Sequence, residues 1–178
     1  MKRQVFFSFH YSNDNWRASQ VRNMGIVSGD STFSDNDWEE VKLKSDAMIK
    51  LWIDSQMAKR SCVVVLIGEK TAGRKWINYE IEKAIELNKG IVGIYIHNLK
   101  DRFGNQSNQG RNPFDDFALS RTGKSLSSYV RCYNSPFFTS KYVYEDIQSK
   151  MEELIEYAIA HKPSTWYLRV LVINEIGN

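Results

Sequence analysis

Two unbroken apolar runs, Cys62–Ile67 and Ile91–Ile96, constrain the fold more than any other feature of this chain. A strand with one wet face alternates apolar and polar side chains. A run with no polar alternation needs cover on both faces, which is the condition of a strand inside a parallel sheet. Between the runs, Lys75–Asn88 has helical spacing and Gly90 closes it. Arg3–Phe9 is a third short run, rich in β-branched and aromatic residues, and reads as the first strand. With 178 residues, 42% hydrophobic and 25% charged, the chain is long and apolar enough to bury a core without staples.

The remaining segments fit an alternating α/β order. Ser12-Asn13-Asp14-Asn15 has the composition of a helix entry, followed by a helix over Trp16–Met24 with Trp16, Gln20 and Val21 on one side and Gly25 at its end. Ile26–Asp37 reads as a loop with room for a short second strand, and Ser34-Asp35-Asn36-Asp37 as another helix entry. Ser45–Lys59 is a helix whose expected inner face is Ala47, Met48, Leu51, Trp52 and Ser55. Asn98–Lys124 is long and polar, the expected mobile or functional loop. Ser128–Cys132 reads as a last short strand. Tyr142–His161 is an amphipathic helix with Ile147, Met151, Leu154, Ile155 and Ala158 inward, stopped by Pro163. Trp166–Ile173 is an apolar tail, either a helix or an added strand. The expected organisation is one domain over 1–162 and a C-terminal extension over 163–178.

Composition excludes several roles. Lys plus Arg is 24 against 21 for Asp plus Glu, a net charge of +3 that is scattered and gives no basis for nucleic-acid binding. The longest apolar run is far short of the roughly 20 residues of a membrane span, and Val5–Phe9 is too short for a signal-peptide core. Cys62 and Cys132 lack the paired spacing of a zinc site. The expectation is a cytoplasmic protein without nucleic-acid or membrane partners and without a metal.

In a parallel sheet the ligand site lies beyond the C-terminal strand ends. That places Ser8–Tyr11, the Gly68–Lys75 turn and His97–Asp101 at one edge. The chain has no G-x-x-x-x-G-K-[ST] loop and no G-x-G-x-x-G after its first strand, so P-loop and Rossmann dehydrogenase chemistry are set aside. The strand ends also lack the acidic pair and the aspartate of a phosphoacceptor receiver. On a helical wheel Ile77, Ile81, Ala84 and Ile85 form the core arc of the third helix, and Trp76 and Glu80 fall on its flank. Glu80 is then either a boundary glutamate or a carboxylate lining a pocket. His10 and His97 end strands, either as ligand contacts or as side chains bonded to loop carbonyls. Tyr11 and Tyr79 are pocket candidates.

Val5-Phe6-Phe7-Ser8-Phe9 and Lys75-Trp76-Ile77-Asn78-Tyr79-Glu80 resemble two motifs of the Toll/interleukin-1 receptor (TIR) domain family: an apolar, aromatic, Ser-containing first strand, and a Trp four residues before a glutamate. Met1–Met24, Ser34–Val41 and Tyr95–Asp101 are similar to the TIR-like branch found in Thoeris antiphage defence systems, while Ile26–Asp37 departs from the usual loop. The resemblance covers Met1–Asp101 best. It implies a flavodoxin-like α/β fold with a mainly parallel sheet and helices on both faces. It also implies cleavage of NAD at the nicotinamide–ribose bond, with NAD as substrate rather than cofactor, and release of a cyclic ADP-ribose-type signal that reaches a downstream effector by diffusion. By resemblance Glu80 is the catalytic residue, and Ser8, Phe9 and Trp76 line the substrate pocket; His10 and Tyr11 join them as substrate-binding candidates. A homo-oligomer is compatible with the family. The rival reading is a non-catalytic interaction or nucleotide-sensing module.

Overall fold

The computed structural model describes residues 2–27, 41–120 and 122–162, and the backbone of 170–172. Its centre is a four-stranded parallel sheet in the order β1-β2-β3-β5, built from β1 (Val5–Ser8), β2 (Cys62–Ile67), β3 (Gly90–Tyr95) and β5 (Cys132–Tyr133). β2 is buried at every position. This is the two-sided cover that its unbroken run requires.

The sheet divides the core into two layers. Phe7, Val64, Leu66, Val92 and Ile94 face α1 (Tyr11–Arg22) and α4 (Ser140–Ala160). Phe6, Val63, Val65, Ile67 and Ile91 face α2 (Asp46–Ala58) and α3 (Lys75–Glu86). The period of two along β1 therefore sends Ser8 to the α2/α3 side with Phe6, and Phe9 packs with the opposite layer beside Phe7. The fold is the expected α/β, mainly parallel, with helices on both faces.

Several local expectations change. The α1 helix starts at Tyr11, with His10 as its N-cap residue and the Asn13 and Asp14 amides bonded to the His10 carbonyl, so Ser12–Asn15 lies inside the first turn. Its inner side is Asp14, Arg17, Ala18 and Val21, while Trp16 is exposed. In α2 the ends are as read, with the Ser45 hydroxyl accepting from the Met48 amide. The buried face is instead Ile49, Ile53 and Met57; Met48 and Leu51 are exposed. That helix carries apolar residues on two faces, and the sheet selects the β-branched pair. The α3 helix stops at Glu86; Asn88 takes the positive φ of 50°, and Gly90 opens β3.

The segment Asn98–Lys124 contains a short 3-10 turn, Pro113–Asp116, and β4 (Phe117–Leu119). Phe114, Phe117 and Leu119 are in the α2/α3 core layer, which is why this polar stretch has defined structure. Leu126–Ser128 forms a second 3-10 turn ahead of β5, where a strand was expected from residue 128. Val170–Val172 forms β6, antiparallel to β4, so the part of the apolar tail that is described is an added strand. The inward residues of α4 are the five expected, with Val143 added. The Ile26–Asp37 strand, the Ser34–Asp37 helix entry and Pro163 lie wholly or mainly outside the described residues.

Candidate active site

The C-terminal ends of β1, β2 and β3 meet the start of α1 and the β2–α3 turn. Ser8 ends β1 and is 1% exposed; Glu80, at the middle of α3, is 6% exposed. The Ser8 hydroxyl donates to Glu80 Oε2. Two segments separated by most of a βαβ unit are thus joined side chain to side chain. Burial in an apolar layer penalises the charged carboxylate and pushes the Glu80 pKa up to about 8, and the Ser8 hydrogen bond opposes that rise.

Trp76 is half-buried, four residues before Glu80, on the same flank of α3. It packs against the α2/α3 layer and meets Tyr79 edge-on, with ring centroids 6.1 Å apart. The Tyr79 hydroxyl donates to Asp54 Oδ1 at 2.8 Å; burial first, and then this bond, push its pKa up. Ser8, Glu80 and Trp76 therefore share one side of the sheet. Phe9 belongs to the other layer and tilts against Tyr11 at 6.3 Å, with the Arg22 guanidinium over its ring at 5.4 Å.

The His10 ring lies 3.0 Å from the Ser12 hydroxyl through Nε2, and its Nδ1 is buried without a hydrogen-bond partner. Burial first, then the charges of Arg74 and Lys70, lower its pKa and so favour the neutral ring. His97 also has an unpartnered Nδ1, and burial followed by Arg17 lowers its pKa. His161 bonds the Tyr157 carbonyl at the end of α4 and is remote in sequence from these strand ends.

A polar cleft of about 530 Å³ opens at the same edge, lined by Ser12, Asn13, Arg17, Glu69, Asp101, Gln106, Ser107 and Asn108. Its floor is a construction that the sequence reading missed. Arg17 is 4% exposed and donates to the Leu99 carbonyl at 2.8 Å, the Asn105 carbonyl at 3.0 Å and Asp14 Oδ1 at 3.1 Å. One guanidinium thus fastens the loop after β3 to α1. The Asp14 carboxylate lies directly over the Gly68 α-carbon, where a Cβ would come within 2.1 Å of it. Only the i,i+3 spacing of Asp14 and Arg17 is visible in the sequence; their burial depends on a loop some 80 residues away.

Among the described residues no group of three or more His, Cys, Asp or Glu side chains is placed to hold a metal ion. Among them, too, no helix is long and apolar enough to cross a membrane.

Residues 6–101 match the family described as the TIR-like domain of Thoeris protein ThsB. A protein of Bacillus cereus (strain MSX-D12), named "Putative cyclic ADP-D-ribose synthase ThsB1", is 39% identical over 136 residues, covering 72% of this chain and 71% of that protein. The matched residues take in all but the first residue of β1 and all of α1, α2, β2, α3 and β3, and so both ends of the Ser8–Glu80 bond.

Proposed function

This chain belongs to the TIR-like family of Thoeris protein ThsB, and from that premise we propose that it cleaves NAD at the nicotinamide–ribose bond and closes the ADP-ribose part into a cyclic signal for antiphage defence. The observation that carries this reading is Glu80: a carboxylate held by a buried hydroxyl at the C-terminal edge of a parallel sheet, where α/β folds bind ligands.

The reaction asks little of an acid. The carbon–nitrogen bond breaks with its electron pair going to the pyridinium nitrogen, and nicotinamide leaves neutral. The ribose becomes an oxocarbenium ion, which Glu80 stabilises as a carboxylate in a site with little water. A nucleophilic atom of the adenosine half then forms the new bond to the ribose carbon and a proton is released. Water attacking instead would give plain hydrolysis. One carboxylate is enough, in contrast to the pair used on O-glycosides. Trp76 offers a ring next to Glu80 for stacking on a flat base. Phe9, His10 and Tyr11 belong to the substrate-facing edge in this reading, and buried Ser8 stands behind Glu80 rather than at that edge. The signal acts on a separate effector protein, in a cytoplasmic setting.

The test is incubation of the full chain with NAD, with and without lysate of phage-infected cells, and mass analysis of the products. Nicotinamide together with a product at the mass of cyclised ADP-ribose is the expected result. Intact NAD under both conditions would favour the interaction or sensing module.

A further inference from the structure

We propose that Ser8 is a positioning residue for Glu80, its buried hydroxyl favouring the carboxylate over the neutral acid and fixing it in the orientation the reaction uses. This rests on the reading of Glu80 as the carboxylate of NAD cleavage.

Ser8 is 1% exposed, so in this structure its hydroxyl has almost no surface to offer a substrate, and its single hydrogen is given to Glu80. Neither end of the bond has freedom to drift. Ser8 closes β1 paired with Val65 of β2, where the strand is buried at every position. Glu80 is flanked on α3 by Ile77, Ile81 and Ala84, all buried against the sheet. A serine among Val5, Phe6 and Phe7 is the polar exception in an otherwise apolar strand. Buried hydroxyls in such places serve a partner, because an unpaired one is costly.

The electrostatics follow the same geometry. Burial raises the Glu80 pKa and the Ser8 hydroxyl lowers it; among the described residues no charged side chain adds to either effect. Among the described residues, the ionisable groups on the surrounding elements have other neighbours. At the start of α1, Asp14 pairs with Arg17. Lys70 and Arg74, in the β2–α3 turn, act on His10. Further along α3, Lys83 is held by Asp54 of α2 and by Glu86. Against burial, the Ser8 hydroxyl is therefore the device that favours the carboxylate.

The test uses the full chain and its variants Ser8→Ala and Ser8→Thr. Nicotinamide release is measured against pH. In the parent the rate rises as Glu80 ionises. Loss of a hydrogen bond to a charged group moves that rise up by about one to two pH units, so Ser8→Ala falls roughly ten- to a hundredfold at pH 7 and recovers in alkali. Ser8→Thr keeps a donor and leaves the rise where it was. A second readout needs no turnover: urea unfolding against pH, with Ser8→Ala also placed in a Glu80→Gln background. The pH dependence of stability should move with Ser8→Ala and be unmoved by it once Glu80 is an amide. A Ser8→Ala rate profile that is only scaled down, with its rise unmoved, would overturn the proposal. So would a pH shift in stability that persists in the Glu80→Gln background. If the parent releases no nicotinamide at any pH, the reading of the reaction fails, and the unfolding curves alone decide the Ser8–Glu80 coupling.

Discussion

Glu80→Gln should make the protein more stable relative to the parent as the pH rises. In the folded chain the Glu80 pKa stands at about 8, against 4.5 for a freely exposed glutamate. The folded state thus holds the proton more tightly than the unfolded state. Stability from this group is fully present below about pH 4.5, and it is lost as the pH climbs towards 8. At about 1.4 kcal/mol per pH unit, the loss between pH 5 and pH 9 comes to about 4 kcal/mol. An amide of the same size has no proton to lose, so Glu80→Gln escapes that decline. Any fixed cost of burying the amide shifts its whole curve and cancels from the slope. His10 and His97, whose lowered pKa values act in the opposite direction, are present in both proteins and cancel too. The assay is urea or thermal unfolding at several values from pH 5 to pH 9, with Glu82→Gln on the exposed side of α3 as control. For a chain of this size the gap in melting temperature should widen by about 10 °C across the range. Parallel curves for parent and Glu80→Gln would refute burial of a proton-holding carboxyl at this position.

Other outcomes follow from the same structure. Arg17→Ala removes the cation that ties α1 to the Leu99 and Asn105 carbonyls and leaves Asp14 buried and uncompensated. A loss of about 3–5 kcal/mol is expected, with faster hydrogen exchange over residues 98–108. Gly68→Ala drives a methyl into the Asp14 carboxylate and should cost about 1–3 kcal/mol, read by urea unfolding. On α2, Ile53→Ala should cost about 2–5 kcal/mol, whereas Leu51→Ser should stay within about 0.5 kcal/mol. Equal losses at the two positions would return Leu51 to the core face.

The parts of this molecule that could be read from its sequence are those where a local pattern has one physical solution. An unbroken apolar run such as Cys62–Ile67 has no stable place except between two layers, and α4 has a single apolar stripe, so both emerged with nearly correct limits. The α2 helix has apolar residues on two faces, and spacing alone cannot say whether Met48 and Leu51 or Ile49 and Ile53 meet the sheet. The α1 helix buries a charged pair, Asp14 and Arg17, in place of the apolar side that a periodicity search expects. The segment after β3 is polar in composition, but its order comes from Arg17 and from Phe114, Phe117 and Leu119, contacts distant in sequence. At the site, the Trp76–Glu80 spacing was visible along one helix. That Ser8 reaches Glu80, while Phe9 turns to the other layer, follows from which residue of β1 faces α3, and that depends on where the strand ends.

The most direct test of the account is the initial rate of nicotinamide release from NAD by the parent, Glu80→Gln and Glu82→Gln, under the condition in which the parent makes its cyclic product. Removing the charge that faces the oxocarbenium ion should slow Glu80→Gln by a hundredfold or more, the usual order for one lost electrostatic contact in a dry site. Glu82→Gln should keep the parent rate, and both variants should remain folded. Equal rates for the parent and Glu80→Gln, with both folded, would contradict the assignment of NAD cleavage to Glu80.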